Sequence, residues 1–132
     1  MRARARMRMA LPLRAHVIYQ GRPVVKPAFV FVPTRDLAAL AAFYGDTLHL
    51  QEVWREADDT VAFALPDSEL QLMVSTSPGE QGPMYQVDSV TAWMGEHSDL
   101  EVVVPLQKIP GGAVVGYADP AGNAFYVFDQ AE

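Results

Sequence analysis

Cysteine is absent from the 132 residues, which excludes disulfides, thiolate metal sites and a cysteine nucleophile. Histidine is scarce: His16, His49 and His97 lie far apart, and none has a second imidazole or a carboxylate set at ligand spacing. No apolar run approaches the roughly 20 residues that cross a bilayer. Phosphate-binding glycine loops, dinucleotide fingerprints and a Ser-His-Asp order are missing as well. Any chemistry falls to oxygen, imidazole and aromatic groups.

Basic residues are plentiful only at the start. Arg2, Arg4, Arg6, Arg8, Arg14, Arg22 and Lys26 stand without a single acid, whereas the rest of the chain sets Arg35, Arg55 and Lys108 against all 16 acids. An acidic body excludes nucleic acid as its partner and favours neutral or cationic ligands. The apolar part of the start, Met9 to Leu13, ends at Arg14 and falls short of an export signal. With no signal and no membrane segment, the expected location is the cytoplasm. Three methionines in the first nine residues, Met1, Met7 and Met9, offer alternative starts. The division is therefore a basic arm over residues 1–26, with a short strand at 16–19, and one domain over 27–132.

Within that domain the patterns run twice in the same order. Phe29 to Val32 reads as a strand. Asp36 caps a helix whose Leu37, Leu40, Ala41, Tyr44 and Leu48 form one stripe. Three strands come next, at Leu50 to Arg55, Thr60 to Leu65 and Glu69 to Ser75. After the loop Ser77 to Pro83 comes a strand at Met84 to Val87, then a shorter helix capped by Asp88 or Ser89 and carrying Val90, Trp93 and Met94. Three more strands complete the repeat, at Glu101 to Leu106, Ala113 to Ala118 and Ala124 to Phe128. The fold class is α+β, two βαβββ modules over about 28–76 and 82–130, each needing the other to close a core.

The last two strands meet at Asp119-Pro120-Ala121-Gly122-Asn123. Asp119 can accept backbone N–H groups, Pro120 presets the first corner, and Gly122 takes the positive φ that closes a hairpin. This hairpin, together with Val32-Pro33-Thr34-Arg35-Asp36-Leu37 and the Phe43-Tyr44 pair with Leu48 soon after, resembles the vicinal oxygen chelate superfamily of glyoxalases, extradiol dioxygenases and bleomycin-resistance proteins. Leu48-His49 departs from the usual Leu-Gly. The resemblance implies a cupped eight-stranded mixed sheet with helices outside, a cleft inside, and a homodimer.

It also implies four metal-ligand positions, one on the first and one on the last strand of each module. In this chain they fall on Phe29, Gln71, Gly82 (or Pro83 with a shift of one) and Tyr126, where the metal enzymes carry a glutamate at the last. An aromatic, an amide, a missing side chain and a phenol do not make a divalent site, which needs about three His, Asp, Glu or Cys ligands. The expectation is no metal, no cofactor and no catalytic residue. Period 2 brings Phe29, Phe31, Gln71, Met73, Met84, Gln86, Tyr126 and Phe128 to the inside of the cup, with Trp54 joining from the second strand. Such a wall suits stacking on a flat ligand, with Gln71, Gln86 and the Tyr126 hydroxyl to orient it. Glu52 and Glu56 share the Trp54 face and offer charge to a cationic aromatic.

These residues support three readings. The first is a metal-free binder of a small aromatic or cationic molecule, similar to bleomycin-resistance proteins, with a sequestering, antibiotic-resistance role. The second is a lyase or isomerase of the superfamily working through a non-standard or metal-independent site. The third is an interaction domain whose cup is filled by its own side chains.

Overall fold

A computed structural model of the chain describes residues 25–131. The basic arm, its strand at 16–19 and His16 lie outside the described residues.

The first module is β1 (Lys26–Pro33), α1 (Leu37–Ala42), β2 (Glu52–Glu56), β3 (Thr60–Ala64) and β4 (Gln71–Ser75). The second is β5 (Gly82–Gln86), α2 (Val90–Glu96), β6 (Glu101–Ile109), β7 (Gly112–Ala118) and β8 (Ala124–Gln130). They form one eight-stranded sheet in the order β2-β3-β4-β1-β5-β8-β7-β6. From the central antiparallel pair β1–β5, each module runs outward in the same way, first to its own last strand in parallel and then through antiparallel neighbours. The expected α+β fold of two βαβββ modules is the observed one.

Alternation along the strands sorts side chains between the two faces. Val32, Val61, Phe63, Leu72 and Val74 face outward and are covered by Leu37, Leu40, Ala41 and Tyr44 of the first helical segment. Val115, Tyr117 and Val127 do the same with Val90, Trp93 and Met94 of α2. Each fully buried Val or Phe contributes about 2 kcal/mol of transfer free energy, so these two layers fix both helices although neither helix exceeds two turns. Phe31, Met84, Val114, Tyr126 and Phe128 face the other way, into the cup.

The caps explain where the helices start. Asp36 Oδ1 accepts from the Ala39 N–H at 3.0 Å, and Ser89 Oγ from the Ala92 N–H at 3.1 Å, so the second cap is Ser89 and not Asp88. The first helix does not continue as an α-helix. Residues Phe43–Thr47 form a π turn, in which the Leu48 N–H bonds to the Phe43 carbonyl at 3.1 Å. The extra residue rotates the end of the segment off the stripe, and Leu48 is 49% exposed rather than packed. On β6 the pairing with β7 slips twice, once across the segment holding Pro105, which has no N–H to give a ladder. The strand resumes beyond and reaches Ile109, three residues past the expected end.

Candidate functional site

The cup encloses a cavity of about 420 Å³, within the range of small-molecule sites. Its floor comes from the central strands: Phe29 and Phe31 of β1, Met73 and Ser75 of β4, Met84 of β5, Tyr126 and Phe128 of β8. Trp54 and Glu56 of β2 form one wall, and Val104, Lys108, Ile109 and Val114 of β6 and β7 the other.

The aromatic residues hold one another in place. The Phe29 ring meets the Trp54 indole edge-on at 6.0 Å and lies 5.7 Å from Phe128, while Phe31 packs edge-on against Tyr126 at 5.2 Å. The Trp54 Nε1–H donates to Gln71 Oε1 at 2.8 Å, fixing the indole plane. Gln71 itself does not line the main cavity. Together with Gln86 it lines a second, smaller cavity of about 180 Å³ that shares Phe29, Phe128 and Gln130 with the first. Of the nine residues expected to line the cup, seven meet at the main cavity and two at its neighbour.

The Tyr126 hydroxyl spends its proton within the protein, so it can only accept from a ligand. It accepts from the Glu80 N–H at 2.9 Å and donates to the Glu80 carbonyl at 2.6 Å. That pair ties the β4–β5 loop over the cup, and Gly79 fits beneath it because a Cβ there would stand 2.6 Å from the hydroxyl. Burial pushes the phenol pKa up, against the lowering effect of the Glu80 N–H. The Glu52 expectation also needs correction. A register shift between Glu52 and Trp54 breaks their alternation, and Glu52 instead pairs with Arg55 at 3.0 Å on the surface. Glu56 does share the cavity wall with Trp54.

Sequence reasoning missed the polar end of the cavity, formed by Asp59, Thr60, Ser75 and Ser77. Thr60 Oγ1 donates to Asp59 Oδ1 at 2.8 Å and lies 3.0 Å from Ser75 Oγ, which in turn donates to Ser77 Oγ at 3.1 Å. Thr60 and Ser75 are cross-strand partners and both are buried. Their spacing across the β3–β4 hairpin was the available signal, but polar residues at strand ends read as solvated turns.

The strand register also fixes which residues occupy the four positions where superfamily enzymes hold metal. Phe29 stands opposite Gln71 in the β1–β4 pair and opposite Met84 in the β1–β5 pair, and Met84 stands opposite Tyr126 in the β5–β8 pair. The second module's first position is therefore Met84, two residues from Gly82. Gly82 instead lets β5 approach β8 so closely that a Cβ would collide with the Ala124 carbonyl. Phe29, Gln71, Met84 and Tyr126 do not fit a divalent ion: the phenol is engaged with Glu80, and the Gln71 carbonyl is engaged with Trp54. Among the described residues, no three His, Cys, Asp or Glu side chains gather to hold one.

No family model matches the chain, and no curated protein sequence matches it. Solved structures do. The chain is similar to methylmalonyl-CoA epimerase from Mycobacterium tuberculosis, at 18% identity and a TM-score of 0.59, covering 81% of this chain and 89% of that one. It is similar to a glyoxalase/bleomycin resistance protein/dioxygenase superfamily member from Vibrio splendidus 12B01, at 12% identity and 0.56, covering 82% and 100%. A structure described as NAD-dependent benzaldehyde dehydrogenase from Legionella pneumophila gives 15% identity and 0.62, covering 78% and 98%. The protein has the glyoxalase/bleomycin-resistance fold, as the resemblance implied. The differing descriptions of these neighbours show how little that fold alone says about activity.

Proposed function

We propose that the protein is a metal-free binder of small molecules of the bleomycin-resistance-like type, holding an aromatic or cationic ligand in the main cavity in order to sequester it. The observation that carries this reading is the exchange at the four ligand positions. Where superfamily enzymes gather charge, this chain gathers Phe29, Met84 and Tyr126 around an open, mainly apolar volume. The half-buried rings of Phe29 and Trp54 offer surface for dispersion, and Glu56 and Asp59, outnumbering Lys108 at the cavity edge, suit a cationic group. It acts as a homodimer in the cytoplasm; exposed Val53, Val102, Val103 and Leu106 on the edge strands β2 and β6 suit burial against a second copy.

A second reading is supported by one observation, the Asp59 carboxylate joined to the buried Thr60 hydroxyl at the cavity wall. There the carboxylate serves as an acid or base in a lyase or isomerase reaction. Two titrations decide. Chelator-treated protein titrated calorimetrically with manganese, nickel, zinc and iron(II) should give no stoichiometric heat, and tight binding overturns the metal-free reading. Titration with benzylamine, which is transparent where tryptophan is excited and does not emit in its window, should change Trp54 emission and leave Trp93 of α2, stacked 3.8 Å from His97, as a constant background. Loss of that response in Trp54→Phe supports the site, and no response in wild type sinks it.

A further inference from the structure

The two cavities meet along a row of rings. Trp54 of β2 stands edge-on to Phe29 of β1, and Phe29 lies 5.7 Å from Phe128 of β8. Phe29 and Phe128 line both cavities, whereas Trp54 lines the larger and Gln71 the smaller. The hydrogen bond from Trp54 Nε1 to Gln71 Oε1 at 2.8 Å therefore joins a side chain of one cavity to a side chain of the other. It reaches across β3, the strand between β2 and β4. Val61 and Phe63 of β3 face outward under the first helix, so alternation turns Ala62 and Ala64 to the concave face. Ala62 stands opposite Trp54 and Ala64 opposite Gln71. With only methyl groups there, the indole has room to lie across β3. The Gln71 carbonyl then decides where it rests, because the indole has a single N–H to give.

We infer that Gln71 is a positioning residue that sets how long a ligand the main cavity accepts. Held by Gln71, the indole closes the row of rings on the β2 side. A ligand with its ammonium group at Glu56 and Asp59 then ends at the rings. Released from Gln71, the indole swings aside and the ligand runs on into the smaller cavity. The inference deepens the binding reading and rests on it. In wild type, a tail that pushes past the row must break the bond, leave the indole N–H without its acceptor and part Trp54 from Phe29.

The test is a calorimetric titration of the full chain with benzylamine and with 4-alkylbenzylamines whose tail grows one carbon at a time from methyl to hexyl. In wild type, affinity relative to benzylamine should rise about 4-fold per carbon and then level off. Gln71→Met should go on rising, to about 10-fold above wild type at the first tail length where wild type is level, as loss of one hydrogen bond gives. Trp54→Leu, which removes the indole outright, should do the same. Gln71→Glu keeps an acceptor and should level off where wild type does. The Trp54 indole N–H proton resonance should move upfield in Gln71→Met and stay downfield in Gln71→Glu. A wild-type profile that never levels, or a cut-off retained in Gln71→Met or Trp54→Leu, overturns the inference and leaves the binding reading intact. A cut-off lost equally in Gln71→Glu and Gln71→Met overturns it too. If benzylamine does not bind the wild type, the binding reading itself fails and the length limit with it.

Discussion

Replacing Tyr126 by Phe removes one oxygen from the cup and leaves the ring where it was, packed against Phe31 at 5.2 Å. The oxygen makes two bonds to the Glu80 backbone, at 2.9 and 2.6 Å. Each contributes about 1 kcal/mol net, and because Glu80 is exposed its backbone groups recover water when the partner goes. The expected loss is about 1–2 kcal/mol, a fall in Tm of roughly 4–8 °C for a domain of this size. Urea unfolding should show a lower midpoint with an unchanged slope, and amide exchange at Glu80 should quicken. Gly79→Ala supplies an independent check. Gly79 has a φ of 137°, and a Cβ there would stand 2.6 Å from the Tyr126 hydroxyl. Part of its cost is that collision, so Gly79→Ala should cost roughly 1 kcal/mol less in the Tyr126→Phe background than in wild type. Tyr126→Phe within about 0.3 kcal/mol of wild type, or strict additivity of the two substitutions, refutes the tie between loop and cup.

Asp129 accepts from the Val90 N–H at 2.8 Å and the Ala113 N–H at 3.0 Å, joining α2 to β7; Asp129→Ala should cost about 2–4 kcal/mol in chemical denaturation and Asp129→Asn about half that. Asp119 is held below the usual carboxylate range, first by the Asn123 N–H and further by the Asn123 side chain and neighbouring backbone. A depressed folded pKa gives stability present above the unfolded value and lost as pH falls through the folded one, so Asp119→Asn should flatten the decline in Tm below about pH 4. Burial raises the Tyr117 phenol, so its contribution is present below about pH 10 and lost as pH rises through the folded value. Melts of Tyr117→Phe between pH 9 and 12 should fall less steeply than wild type.

Most of the fold was legible because its signals are local and repeat. The two caps, the hairpin at Asp119 and the period-2 runs each have a mechanism within a few residues. In the hairpin, Asp119 Oδ1 accepts from the N–H groups of Ala121 and Asn123, and Gly122 takes a φ of 91°. Finding the same order of elements twice then fixed the architecture. What escaped was backbone irregularity. The π turn after Ala42, the slip between Glu52 and Trp54 and the two slips on β6 each insert or skip a residue. Leu48, Glu52 and the end of β6 were misplaced for that one reason.

The site shows the same division at finer grain. Alternation alone placed Phe29, Phe31, Met73, Met84, Tyr126 and Phe128 on the concave face, because a strand offers only two sides. It could not say which partner each polar group had taken, since partners come from other strands or from a loop. Tyr126 reads as a free hydroxyl until Glu80, 46 residues earlier in the chain, is brought beside it. Gln71 reads as a ligand contact in the main cup until Trp54, 17 residues earlier, takes its carbonyl. Pairing removes one capacity from each group and defines what is left: Tyr126 becomes a fastening for the loop, and Gln71 becomes a bracket for the Trp54 indole. The chemistry of this cup therefore lies less in which residues line it than in which of their hydrogen-bonding halves remain unspent.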